Sequence, residues 1–210
     1  MKGSSQRLAV VVAALALSAV GRAWSQAPPT PAVRGTAGGD ATSKQPADAH
    51  HEVATLAGGC FWGMEEILRQ IPGVTSTRVG YTGGTTSNPT YPEVHAGDSG
   101  HAEAVEVVFD PTKISYAEIL GYFFRMHDPT TRDRQGHDVG SQYRSAIFVT
   151  DDEQRKVAER VKAEVEKSGK WKRPIVTEIV PAGPFFEAED YHQEYLQKHP
   201  GGYTCHYLRD

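Results

Sequence analysis

The sequence predicts an α/β chain of the α+β kind: a ferredoxin-like split β-α-β sandwich with a mixed sheet, long active-site loops and an irregular C-terminal tail. Three observations carry this. From Val53 onward, short apolar runs of strand length alternate with helical spacing in the order β-α-β-β-α-β-α-β-α. That order contains a β-α-β-β-α-β unit, the ferredoxin-like arrangement. Two connections, Thr82 to His101 and His127 to Ser141, are long for a compact domain. Loops of that size usually carry function.

Each element has its own signal. Val53 to Ala57 is a short apolar run that fits a buried strand. Phe61, Met64, Ile67, Leu68 and Ile71 recur at helical spacing, and Pro72-Gly73 stops that helix. Val74 to Tyr81 is the second strand, closed by Gly83-Gly84. Ala104 to Phe109 is the third, stopped by Asp110-Pro111. Tyr116, Ile119, Leu120, Phe123 and Phe124 form an amphipathic helix stripe. Ser145 to Thr150 is the fourth strand. Asp151-Asp152 then opens a charged helix with Val157, Val161 and Val165 on one face, ended by Gly169. Ile175 to Val180 is the fifth strand, followed by Pro181 and Pro184. A last helix is predicted over Glu187 to Lys198. Pro200-Gly201-Gly202 leads into a tail carrying Cys205.

The chain before Val53 reads differently. Lys2 and Arg7 precede an apolar run of 13 residues, Leu8 to Val20, and Ala23-Trp24-Ser25 has the small-x-small form of a cleavage site. Residues 1–25 are therefore expected to be a signal peptide. The apolar run falls short of the roughly 20 residues that span a bilayer. An exported protein with no stable membrane association after cleavage is expected, in a compartment that permits disulfides; an uncleaved anchor is the alternative. Residues 26–52 are rich in Pro, Gly, Ala, Ser and Thr without periodicity and read as a disordered linker. The folded domain is 53–210, and nothing in its pattern requires more than a monomer.

Composition narrows the function. The formal net charge is −4. Lys2, Arg7 and Arg22 are the three bases before residue 26, so the remainder holds 22 − 3 = 19 bases against 26 acids, a balance of −7. This argues against nucleic-acid binding, which rests on phosphate neutralisation. Two cysteines, Cys60 and Cys205, are too few for a disulfide scaffold or a Cys-only zinc site.

Cys60 sits in Gly58-Gly59-Cys60-Phe61-Trp62-Gly63, where a strand meets a helix. The nucleophile is the thiolate, and the unpaired N–H groups of a helix N-terminus lower a thiol pKa. The glycines would let a substrate approach the sulfur. A buried structural thiol is the competing reading. Strand parity puts Glu103 on the apolar face of Val105, Val107 and Phe109. Burial there would raise its pKa and make it a general acid near neutrality. A solvated position at the strand mouth is the alternative, since Glu106 shows that the strand tolerates acids. Tyr91 and Tyr143 lie in the long loops and are able to donate hydrogen bonds to a polar oxygen. His95, His101, His127 and His137 keep a cysteine-histidine hydrolase open. Neither His101 with Glu103 nor His192 with Glu194 matches an established metal spacing.

Five motifs occur in order: Gly-Cys-Phe-Trp-Gly (59–63), Gly-Tyr-Thr-Gly-Gly (80–84), Asn-Pro-Thr-Tyr (88–91), Gly-His-Ala-Glu (100–103) and Gln-Tyr-Arg-Ser (142–145). With them the chain closely resembles the peptide-methionine (S)-S-oxide reductases, the A-type methionine sulfoxide reductase (MsrA) family, over its whole globular part. The resemblance implies that Cys60 is the nucleophile at the sulfoxide sulfur and Glu103 the acid that protonates the oxygen. It implies that Tyr91 and Tyr143 hold that oxygen, that Asp138 supports the polar network, and that Phe61 and Trp62 wall the methyl group. It also implies that Cys205 resolves a Cys60 sulfenic acid into a Cys60–Cys205 disulfide, reduced in turn by a thioredoxin-like partner. The expected substrate is methionine sulfoxide, free or in peptides, with repair of oxidised exported proteins as the role. No cofactor and no metal enter this scheme. The chain departs from relatives that carry two cysteines near the C-terminus, so its relay should be a single step. Position 95 is His where some members have Cys, and no role is assigned to it.

Overall fold

The structure, a computed structural model, describes residues 51–210; the expected signal peptide and all but the last two residues of the expected linker lie outside the described residues. The strands are β1 (Glu52–Gly58), β2 (Val74–Thr82), β3 (Ala102–Phe109), β4 (Arg134–Gln135), β5 (Asp138–Val139), β6 (Ser145–Val149), β7 (Glu178–Pro181) and β8 (Phe186–Glu187). The helices are α1 (Phe61–Leu68), α2 (Tyr91–Ala96), α3 (Tyr116–Met126), α4 (Asp152–Lys167) and α5 (Tyr195–Lys198). Glu52 already pairs with Phe109, so the first strand starts one residue before the predicted boundary.

Six strands make one sheet in the order β7-β6-β1-β3-β2-β8. β3 lies between β1 and β2 and is antiparallel to both, so β1-α1-β2 is a split β-α-β unit. β6 pairs antiparallel with the other side of β1. These four strands are the expected ferredoxin-like unit. β7 adds to β6 in parallel, which makes the sheet mixed.

One face of the sheet carries the core. Leu56, Val105, Val107, Phe109 and Ile147 project towards Met64 and Leu68 of α1, and Ile119, Leu120 and Phe123 of α3. Each such fully buried side chain contributes ~1.5–3 kcal/mol of apolar burial. The opposite face is shallower: Ala57, Ala102, Ala104 and Ala146 surround Phe148. The helix starts are capped locally. Ser115 Oγ accepts the Glu118 N–H at 3.3 Å while Glu118 accepts the Ser115 N–H at 2.9 Å, and Asp151 accepts the Gln154 N–H at 2.8 Å. Among the described residues no helix is long and apolar enough to cross a membrane.

Four predictions need correction. The connection from Thr82 to His101 holds α2, started by Thr90 with Glu93 three residues on and ended by Gly97 at φ 87°. The connection from His127 to Ser141 holds the β4-β5 hairpin. The predicted strand over Ile175 to Val180 begins only at Glu178, because the Val176 N–H donates to Pro129 O at 2.8 Å, away from the sheet. The predicted last helix is mostly not helical. Phe186 and Glu187 are a strand beside Tyr81 and Gly80, and only Tyr195–Lys198 forms a helical turn. Its side chains hold other partners. The Gln193 amide brackets Val79, accepting its N–H at 2.8 Å and donating to its O at 2.9 Å, and Glu194 stands at φ 52°. Such side chain-to-backbone bonds compete with a helix, and a left-handed residue interrupts one.

Candidate active site

β1 leads straight into α1, and Cys60 is the N-cap between them, 6% exposed. The glycines around it serve a purpose other than the expected one. A Cβ at Gly58 would lie 3.0–3.1 Å from Phe123 and His127, and one at Gly59 would lie 2.6 Å from Gln135. A Cβ at Gly63 would overlap Thr204 Oγ1 and lie 2.8 Å from His206 Nδ1. The glycines therefore admit the end of α3, the Gln135 loop and the C-terminal tail, not a substrate. Gly59, at φ 114°, also needs the backbone freedom.

Cys60, Phe61, Trp62, Tyr91, Glu103, Asp138 and Tyr143 line one cavity of about 170 Å³, together with His95 and Tyr203. Residues from four elements and their junctions thus meet at the end of the sheet where α1 starts. Glu103, 2% exposed, projects from β3 and accepts the Phe61 N–H at 3.1 Å. Burial raises its carboxyl to about 8, only partly offset by that N–H. At neutral pH it holds its proton, as its strand parity suggested.

The Cys60 thiol does not behave as its helix position suggested. Its pKa is pushed well above the ordinary thiol value, first by burial and then by the charge of Glu103, with the Trp62 N–H as a partial offset. α1 has only eight residues, and its first N–H is already taken by Glu103. Desolvation therefore outweighs the helix dipole. The resting pair is a thiol beside a carboxylic acid.

Tyr91 opens α2, and Tyr143 ends a short 3-10 turn before β6. Burial, then the Glu103 charge, holds both phenols above their ordinary value, so both are neutral donors. Tyr143 Oη is 3.4 Å from His95 Nδ1. The Tyr91 N–H donates to Glu189 at 2.9 Å, which anchors α2. Trp62 donates its indole N–H to His192 Nδ1 at 3.0 Å and stacks on Tyr195 at 3.8 Å. This fixes the indole as a wall. Phe61 is buried between Tyr81 and His192. Asp138, in β5, accepts the Tyr203 hydroxyl at 3.0 Å.

The tail brings Cys205 to the same place. Both cysteines are free. Cys205 packs on Gly136, and its sulfur faces the Cys60 backbone N–H and the Asp138 carboxylate. Burial and Asp138 push its thiol up to about 12. His206, next in the chain, is buried against Gly58.

Among the described residues no histidine is hydrogen-bonded to Cys60. His101 braces its loop through Gly84 and Thr86, and His127 is held between Phe123 O and Ser145. Burial lowers His127 to about 3, so it stays neutral. His192 is committed to Trp62. No group of three His, Cys, Asp or Glu side chains among the described residues is placed to hold a metal ion. His95, weighed from sequence only as a histidine for a hydrolase, lies in the cavity beside Tyr143. Glu189, Tyr203 and His206 were not expected in the site; closeness to Cys205 in the chain is the one signal that could have found the last two.

Two free cysteines drawn together beside a buried acid define a thiol-dependent oxidoreductase. Residues 52–210 match the family described as peptide methionine sulfoxide reductase. The chain belongs to that family, whose enzymes reduce methionine sulfoxide to methionine. A peptide methionine sulfoxide reductase MsrA from Nocardia farcinica is 59% identical over 156 residues, covering 74% of this chain and 89% of the relative. Mxr1 from Saccharomyces cerevisiae in reduced form superposes with a TM-score of 0.73 at 39% identity, covering 80% of this chain and 98% of that one. Mxr1 in complex with Trx2 superposes at 0.54 with 28% identity, covering 80% and 97%.

Proposed function

We propose that Cys60 attacks the sulfur of a methionine S-sulfoxide while Glu103 delivers a proton to its oxygen. The observation that carries this is the buried Glu103 carboxyl in the same cavity as Cys60, where burial raises its pKa. The sulfoxide oxygen is a poor leaving group until it is protonated, and an acid with a value of about 8 is charged with its proton at neutral pH. Tyr91 and Tyr143 donate to the oxygen, where negative charge builds as the S–O bond weakens. Trp62, with Phe61 behind it, packs on the methyl group. The sulfoxide sulfur gains two electrons and the Cys60 sulfur loses two. The single thiol proton ends on the transferred oxygen, relayed by Glu103, so Glu103 finishes protonated and Cys60 is a sulfenic acid. A small cavity takes the end of the side chain, which suits free and peptide-bound substrate alike.

Cys205 then condenses with that sulfenic acid to give the Cys60–Cys205 disulfide and water. Its place beside Cys60 supports this, as does the absence of a third cysteine from the sequence. A thioredoxin-like dithiol reduces the disulfide, a reading supported by the structure of Mxr1 with Trx2. All the groups needed come from one chain, in keeping with a monomer. Residues 1–25 have the pattern of an export signal, so repair of exported proteins is the role we propose. Amino-terminal sequencing of the mature protein tests this, and a mature form that retains Lys2 to Val20 in the cytoplasm would overturn it.

The chemistry is tested by incubating reduced protein with methionine sulfoxide and no other reductant. One methionine released for every two thiols lost is the expected result, with Cys60→Ser inactive. Full activity in Cys60→Ser would overturn the assignment of the nucleophile. A hydrolase would instead form an acyl-enzyme with an ester and need no thiol.

A further inference from the structure

We propose that His206 is the base that takes the proton from Cys205 as it attacks the Cys60 sulfenic acid. This rests on the reading of Cys205 as the resolving cysteine and gives that step the proton acceptor it lacks.

The tautomer is settled by hydrogen bonding. His206 Nε2 lies 2.9 Å from Gly58 O. A carbonyl oxygen only accepts, so Nε2 carries the hydrogen. The ring is 7% exposed, and burial lowers its pKa to about 4, so it is neutral and Nδ1 is bare. Nδ1 is 3.5 Å from Cys205 Sγ. The thiol is the only hydrogen donor of that pair. The Cys205 thiol hydrogen therefore has two acceptors in reach, this fixed imidazole lone pair and the Asp138 carboxylate.

The ring is held in that orientation. It fills space left by the missing side chains of Gly59 and Gly63. The His206 backbone N–H donates to Thr204 Oγ1 at 3.0 Å. Further along the tail, the Arg209 N–H donates to Arg125 O at 3.0 Å, and Arg125 Nε donates to Arg209 O at 2.7 Å. The turn that bears Cys205 and His206 is thus pinned on both sides.

The chemistry needs such a group. A thiol is a poor nucleophile, and burial with the neighbouring Asp138 makes ionisation of Cys205 alone unfavourable. Burial also opposes a lone imidazolium. Transfer between touching atoms creates the two opposite charges together, where each offsets the cost of the other. The ionisable groups acting on His206 are Cys205 itself, Asp138, which favours its cationic form, and Arg209 and His127, which oppose it. In the step, the Cys205 proton moves to Nδ1 and the sulfur's electron pair forms the bond to Cys60 Sγ. The S–O bond of Cys60 breaks and its electron pair leaves with the oxygen as hydroxide, which the displaced proton completes as water. Cys205 sulfur is oxidised by one electron and Cys60 sulfur reduced by one. The two thiols so have different proton partners, Glu103 for Cys60 and His206 for Cys205. Asp138 is the rival base, although its carboxylate already accepts from Tyr203.

His206→Gln tests this in a single turnover. Gln keeps an N–H for the Gly58 carbonyl and removes the nitrogen facing Cys205. Methionine should be released at the wild-type rate, which also shows that the variant is folded. Disulfide formation should slow by about 100-fold or more, within the usual range for loss of a general base, and sulfenic acid should accumulate and be trapped by a dione reagent. The pH profile separates a base from a mere support. In the variant the slow step should rise about tenfold for each pH unit, because hydroxide must ionise the thiol, whereas the wild type should be far flatter. Should Gln distort the tail, the smaller His206→Asn should give the same split. A wild-type rate of disulfide formation in His206→Gln, or the loss appearing instead in Asp138→Asn, would overturn the proposal. Failure of the wild type to form any Cys60–Cys205 disulfide would instead remove the resolving role of Cys205 on which it rests.

Discussion

Glu103→Gln should stabilise the protein above pH 5 while it removes the activity. The carboxyl is 2% exposed and its value moves from 4.5 to about 8 on folding. Below pH 4.5 both folded and unfolded chains hold the proton, and burial of the acid carries no ionisation penalty. Between 4.5 and about 8 the unfolded chain ionises and the folded one does not, so stability is lost steadily as pH rises. Above about 8 both are ionised and the loss is complete. The difference is about 3.5 on the pH scale, which at ~1.36 kcal/mol for each unit is of the order of 5 kcal/mol. At pH 7 the loss is about 3 kcal/mol by the same arithmetic. Gln retains an oxygen for the Phe61 N–H and does not titrate. Urea unfolding of both proteins at several pH values gives the test, since groups common to both cancel in the difference. The stability gap should widen by ~1.4 kcal/mol per pH unit from 4.5 to 8 and then level off. A gap that is flat across that window would refute the claim that Glu103 is buried as an acid.

Other variants probe the remaining parts of the site. The first-turnover rate of the wild type should fall as pH rises through about 8, where Glu103 loses its proton, and rapid-quench assay of methionine release reads this directly. Tyr91→Phe and Tyr143→Phe should each lower that rate by about tenfold or more, as expected for loss of a donor to developing charge; unchanged rates would remove the oxygen clamp. Gly63→Ala should spare the first turnover but slow disulfide formation, because the added methyl overlaps Thr204 and His206. Its melting temperature should change little, since Ala favours a helix over Gly by up to ~1 kcal/mol; normal recycling would show that the tail does not dock there. Phe123→Ala should cost ~3–5 kcal/mol in denaturant unfolding, because its ring is fully buried between α3 and the sheet.

Much of this was legible in the chain. The four strands of the split unit and helices α1, α3 and α4 follow from local periodicity, which survives in any single sequence because it reflects which face of an element is covered. The parity of β3 placed Glu103 on the face of Val105, Val107 and Phe109, but whether that end of the strand is buried or a solvated mouth was decided only by what packs over it. Short polar elements were less legible. α2 is six residues in a loop rich in turn formers, and β4 and β5 are two residues each, too short for a period to show. The segment before α5 carries a helix-like composition, but its side chains bond across to β2 and to the start of α2, distant partners that composition does not encode.

By itself the sequence determined the kind of fold, the cysteine at a strand-to-helix junction, the carboxyl on an apolar face, and the five motifs that mark the family. These depend on neighbours within a few positions. The tertiary structure alone decided what surrounds those groups. It reversed the expected direction at Cys60, because burial and Glu103 outweigh a short helix. It gave the glycines at 58, 59 and 63 to the end of α3, a loop and the tail instead of the substrate. It also set His206 between Gly58 and Cys205, joining residues 148 positions apart. Desolvation and contact depend on everything that covers an atom, and that is assembled only when distant segments meet.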